Sequence, residues 1–121
     1  MRLTVHSRGA EGRAPKGPVT SLYDLYDALR ACWQPPPLNE IMRGMEMSVR
    51  LSFAAGGDLF AAPRVTYTHR EADPDARRLF GAAIDAAIAR CTPMPFSGGI
   101  GAVISGRAIN IHFIDDRESK N

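Results

Sequence analysis

Met45-Glu46-Met47-Ser48-Val49-Arg50-Leu51-Ser52-Phe53 alternates apolar and polar side chains without a break. A period of two sends one set of residues into a core and the other to solvent, so the stretch reads as a half-buried β-strand. Ala54-Ala55-Gly56-Gly57-Asp58 follows, and its glycines supply the positive φ angles of a tight hairpin turn. Residues 59–68 then return as the partner strand. Pro63 lies inside that return and has no amide hydrogen to donate, which places the second strand at a sheet edge or gives it a bulge. The alternating strand is thereby the natural centre of the sheet.

Helical patterns lie on either side. Asp73-Pro74 is an N-cap followed by proline at the first helical position, and Ala76, Leu79, Phe80, Ala83, Ile84, Ala87, Ile88 and Cys91 trace one apolar stripe. This predicts a helix over residues 74–90, with Arg90 in the last turn complementing the helix dipole. The Gly- and Pro-rich residues 92–107 read as a loop. Ile109, Ile111 and Phe113 alternate with Asn110 and His112 in a third strand over residues 108–114. Upstream, Ser21 is an N-cap with Asp24 placed to complete a capping box, and Leu22, Leu25, Tyr26, Leu29 and Trp33 recur at helical spacing. Helix one spans residues 22–32 and ends before Pro35-Pro36-Pro37, with a loop through Gly44 beyond. Trp33 is expected to anchor this helix on the core, its indole nitrogen meeting a carbonyl near the proline turn. Phe96 in Pro93-Met94-Pro95-Phe96 is expected to fold back onto the core.

Three one-faced strands and two one-striped helices call for an α+β, two-layer sandwich. The expected sheet is three-stranded and antiparallel, of order 2-1-3 in strand number, with both helices on one face. Residues 1–20 hold Gly9, Gly12, Gly17, Pro15 and Pro18 and little apolar material beyond Leu3 and Val5, so they read as a flexible basic segment. Residues 21–116 form the single domain and 117–121 a tail.

The 121 residues carry a formal net charge of +2. Arg2, Arg8, Arg13 and Lys16 against Glu11 put +3 of charge on the first twenty residues, leaving the folded part close to neutral and poorly matched to nucleic acid. No apolar run approaches the roughly 20 residues of a membrane span, and no signal peptide is visible, which taken alone reads as cytoplasmic. Cys32 and Cys91 lie far apart without the neighbouring ligands of a zinc site. Two readings stay open: a pair of buried thiols, or a disulfide tying two helix ends together in an oxidising compartment.

Catalytic patterns are weak. His6, His69 and His112 share no ligand spacing, Ser52, Ser97 and Ser105 lack a nucleophile elbow, and Asp73 and Asp75 serve a helix start. Asp115 and Asp116 read as a solvated terminus. Gly98, Gly99 and Gly101 resemble a phosphate loop only in composition. No enzyme, cofactor or metal is expected. The alternative is a small enzyme or ligand-binding protein using the Gly-rich loop 97–106 with His69 or His112.

In their order, Cys32-Trp33-Gln34-Pro35-Pro36, the alternating strand, the glycine hairpin, the second strand with Pro63, the Asp73-Pro74 helix, Cys91-Thr92-Pro93-Met94-Pro95-Phe96 and Ile109-x-Ile111-x-Phe113 resemble the C-terminal domain shared by the TolA and TonB envelope proteins, the TolA-like side more closely. The resemblance implies a non-catalytic periplasmic interaction module that binds envelope proteins or peptides by strand addition at a sheet edge. Here that edge maps onto residues 108–114, with Ala108, Asn110, His112 and Ile114 at the interface. A second copy of the chain is the other expected occupant.

Overall fold

A computed structural model describes residues 1–37 and 44–117; part of the loop before Gly44 and most of the expected tail lie outside the described residues. The elements run β1 (Arg2–His6), α1 (Leu22–Cys32), β2 (Glu46–Leu51), β3 (Arg64–Thr68), α2 (Pro74–Cys91), α3 (Ile100–Ile104) and β4 (Ile109–Ile114). The strands form one mixed sheet of order β1-β4-β2-β3.

The expected three-stranded antiparallel sheet of order 2-1-3 with two helices is therefore corrected to a four-stranded mixed sheet with three helices. The added strand comes from the segment expected to be flexible. Arg2-Leu3-Thr4-Val5-His6 lies parallel to β4, with Leu3 opposite Ile111 and Val5 opposite Phe113. Val5 is fully buried. Five alternating residues beside a Gly- and Pro-rich stretch carry little local signal, and their pairing partner lies more than a hundred residues away. The rest of the segment is also tied down: Gly12 and Arg13 donate backbone hydrogen bonds to the carbonyls of Trp33 and Ala31, and Val19 exchanges bonds with Pro95 and Ser97.

The end of β1 is held by a reciprocal set of hydrogen bonds. Ser7 Oγ donates to Asp116 Oδ1 at 2.5 Å, Asp116 N donates to Ser7 Oγ at 2.9 Å, and His6 Nδ1 lies 2.8 Å from Asp116 Oδ2. Partial burial raises the Asp116 carboxyl's pKa, but the hydrogen bonds from Ser7 and His6 and the His6 charge outweigh it, holding the group below its ordinary value. Asp115, fully buried, pairs with Arg117 at 2.6 Å, and the same guanidinium donates to the Pro36 carbonyl. The two aspartates expected in a solvated terminus thus fasten both ends of the chain to the sheet.

The helices start as their capping residues dictate. Ser21 Oγ accepts from Asp24 N at 3.0 Å, while Asp24 reaches back to Thr20, one residue before the cap, accepting from its N and Oγ1. These bonds, the Thr20 amide's first, hold the Asp24 carboxyl below its ordinary value. Asp73 Oδ1 accepts from Ala76 N at 2.8 Å. Inward-facing Met47, Val49, Leu51, Ile109, Ile111 and Phe113 meet Leu25, Leu29, Phe80 and Ile84 in one core. Trp33 is fully buried, edge-on to Phe80 at 5.6 Å and to Phe113 at 5.2 Å. Its indole nitrogen, expected to meet a carbonyl, has no partner among the described residues. Cys32 and Cys91 are joined in a disulfide with Cα atoms 5.9 Å apart, settling the two readings of that pair.

Within residues 92–107, read as a loop, Ile100–Ile104 forms the short helix α3. One turn is too short for helical periodicity to show among glycines. Gly101 packs where a Cβ would stand 2.4 Å from the Ala55 carbonyl, and Ile104 is fully buried. At the hairpin, Gly57 has φ 98° and a Cβ there would overlap the Met94 backbone, so no other residue fits. Phe96 packs edge-on to Phe53 at 5.4 Å, as expected.

Replacing Cys32 and Cys91 together by serine should lower unfolding stability by about 2–4 kcal/mol, read as a shifted denaturant midpoint. Asp116→Ala should loosen β1, raising amide exchange at residues 2–6 while β2 and β3 stay protected. Because the Asp116 pKa is lowered from 3.8 in the folded chain, its ionised form is favoured by folding. That contribution is present above 3.8 and is lost as pH falls through the lower folded value. The stability gap between wild type and Asp116→Ala should narrow as pH falls below 3.8.

Candidate functional site

The strand expected to offer the open edge lies inside the sheet. β4 pairs with β1 on one side and with β2 on the other, so both of its backbone edges are used. Asn110, His112 and Ile114 stand on the sheet face turned away from the core, half-buried, opposite buried Ile109, Ile111 and Phe113. Ala108 precedes the strand and is exposed. The expectation of an open edge at residues 108–114 is thus corrected: the pairing groups it requires are already occupied by Arg2–His6.

The free edges of the sheet belong to its end strands, β1 and β3. β3 is the more exposed: Arg64, Val65, Thr66 and Tyr67 are open to solvent and Thr68 partly so. Val65 is 53% and Tyr67 44% exposed, and Phe60, 59% exposed, lies upstream in the same return. A register shift between Ser48 and Val49 leaves Thr66 as an extra residue opposite β2. That is the bulge foreseen from Pro63, but Pro63 itself lies before the strand, and every residue of β3 retains its amide hydrogen.

The outer face of the sheet places polar residues in cross-strand rows. Thr4, His112, Ser48 and Tyr67 stand in one row, and Arg2, Asn110, Arg50 and Arg64 in the next. Ser48 Oγ lies 2.6 Å from His112 Nδ1, and His112 Nε2 lies 3.4 Å from Glu46 Oε1. Tyr67 inclines over the imidazole with ring centres 6.2 Å apart. A hydroxyl, an imidazole and a carboxylate thus follow one another, an arrangement that no nucleophile elbow in the sequence marks. The alternation that turns Ser48 and His112 outward is the signal that could have found them. Ser48 sits in mid-strand, where neighbouring amides serve the sheet ladder and give no cluster of donors for a developing oxyanion. The trio orders the sheet face.

The other expected positions are structural. Trp33 packs in the core, Pro36 is buried and Pro35 half-buried, and Asp73 and Pro74 open α2. Residues 97–106 hold α3 against the β2–β3 return, and Gly106 N donates to the Phe53 carbonyl. His69 packs at the end of β3, its N donating to the Glu46 carbonyl. Among the described residues no group of three His, Cys, Asp or Glu side chains could hold a metal ion, and no helix is long and apolar enough to cross a membrane.

No curated protein and no solved structure matches the chain. Residues 15–117 match the family described as uncharacterised conserved protein UCP034077, a match that takes in every element except β1. With that share of its length inside the match, the chain belongs to the UCP034077 family.

Proposed function

We propose that the chain is a non-catalytic protein-interaction module that takes up an extended segment of a partner protein as a fifth strand along the outer edge of β3. The observation that carries this reading is the exposure of the whole of β3 at an unpaired sheet edge, with Val65 and Tyr67 presented to solvent. Soluble proteins usually blunt such an edge by covering it or shortening it, because free amides and carbonyls recruit another strand. Here the strand is five residues long, begins at Arg64 after Pro63 and carries the bulge at Thr66, yet among the described residues no element covers it. Strand addition draws its affinity from backbone groups and its selectivity from alternate side chains, so Val65 on one side of the added strand and Tyr67 on the other would choose the partner.

The disulfide supports an oxidising compartment. A bond between Cys32 and Cys91 persists where glutathione and thioredoxin do not reduce it, which supports the periplasm or another oxidising space. The likeness to TolA and TonB domains agrees with an envelope role. The edge is nevertheless β3, since β1 occupies the outer side of β4.

A photo-crosslinking residue at position 65 in the native cell should trap a partner that the same residue at position 82, on the exposed face of α2, does not trap. With that partner purified, amides of residues 64–68 should gain hydrogen-exchange protection on binding. Thr66→Pro, which removes a donor at the bulge, should weaken the complex at least tenfold while leaving the core amides protected. A partner that binds without protecting β3 sinks the reading. Dimerisation of the chain with β3 protected would identify a second copy as the added strand.

A further inference from the structure

We infer that the uncovered face of the sheet is a binding site for a phosphate group carried by a soluble ligand, centred between Arg2, Asn110 and Arg50. The register places Arg2 opposite Asn110, Asn110 opposite Arg50 and Arg50 opposite Arg64, so three guanidinium groups share one row across four strands. At a strand spacing of about 4.8 Å the row is about 14 Å long, short enough for arginine side chains to converge on its middle.

Such a row is unfavourable by itself. Like charges directly opposite on adjacent strands destabilise a sheet, and Arg50 faces Arg64 in register. Four helical and loop arginines, Arg13, Arg30, Arg78 and Arg117, pair with a carboxylate, whereas Arg8, Arg70, Arg77, Arg90 and Arg107 do not among the described residues. Among the described residues, Arg2, Arg50 and Arg64 have none within 4.0 Å. Arg50 Nε donates instead to Asn110 Oδ1 at 3.3 Å, which turns the side chain along the row and leaves its other donors free.

A shallow cup of about 250 Å³ opens there, lined by Arg2, Arg50, Asn110, Ser48, His112 and Tyr67 and by no carboxylate. Enclosed small-molecule sites run from about 300 to 1,000 Å³, so this one suits a compact head group. Glu46 stands two rows away, opposite Ile114, and faces His112 Nε2. Two guanidinium forks beside hydroxyl and amide donors match the several acceptor oxygens of a phosphate. A phosphate monoester carries about −1.5 to −2 of charge at pH 7 and balances the row, whereas a single carboxylate leaves most of the positive charge uncompensated. The surrounding face presents Thr4, Glu46 and Asn110 rather than an apolar rim, which favours a soluble ligand over a lipid head group.

The test is a titration of the full chain with inorganic phosphate against sodium chloride at equal ionic strength, followed by amide NMR and calorimetry. Phosphate should give saturable shifts confined to residues 2, 48, 50, 67, 110 and 112. Arg50→Ala should weaken binding at least tenfold and Arg2→Ala severalfold, without lowering the melting temperature, since Arg50→Ala also removes the repulsion from Arg64. Arg78→Ala on α2 should change nothing. Phosphate shifts no larger than those of chloride, or unaltered by Arg50→Ala, overturn the site. Glutamate binding as tightly as phosphate overturns the phosphate assignment in favour of an acidic peptide, and stronger retention by phosphatidic acid vesicles than by free phosphate overturns the soluble source.

Discussion

The pairing of β4 on both sides is the constraint on which the rest of this structure depends. Ile109, Ile111 and Phe113 point inward from a strand whose backbone is satisfied by β1 on one edge and β2 on the other. A strand so placed can be fully buried on one face without leaving unsatisfied amides, whose desolvation would cost more than the burial gains. The outward side chains of the same strand then hold register with Arg2, Thr4, Ser48 and Arg50. Core and sheet face are two consequences of one ladder.

The helical layer is fastened to that ladder at one place. Cys32 at the end of α1 is bonded to Cys91 at the end of α2, and Trp33, the next residue, fills the space between Phe80 of α2 and Phe113 of β4. Cross-link and aromatic anchor are adjacent in the chain, so the two helices cannot slide on the sheet independently. Arg90, near the end of α2, donates to the Cys32 carbonyl at 2.9 Å and satisfies a helix-terminal acceptor at the same junction.

The helices cover one face of the sheet, which leaves open its polar face and the outer edges of its end strands, of which β3 is the more exposed. Face and edge differ in kind. The edge offers backbone groups with Val65 and Tyr67 beside them, and the face offers an ordered set of arginine, hydroxyl and imidazole groups. Tyr67 belongs to both, since it lies in β3 and leans over His112.

Local patterns by themselves determined α1 and α2 with their caps, the alternation of β2 and β4, the glycine hairpin and the turn that brings Phe96 back to the core. Each of these rests on residues close together in the chain, where periodicity and capping chemistry act directly. The disulfide was one of two readings, and helix packing chose it by bringing the Cα atoms to 5.9 Å. Tertiary structure alone decided that Arg2–His6 joins the sheet, that Asp115 and Asp116 become anchors, and that Glu46, Ser48 and His112 meet. β1 finds its partner across more than a hundred residues, and five alternating residues have no local feature that separates a strand from a loose end until β4 presents an edge to fill. The arginine row has the same origin: nothing local in the sequence joins Arg2, Arg50 and Arg64, and only the register of three strand pairs puts them side by side.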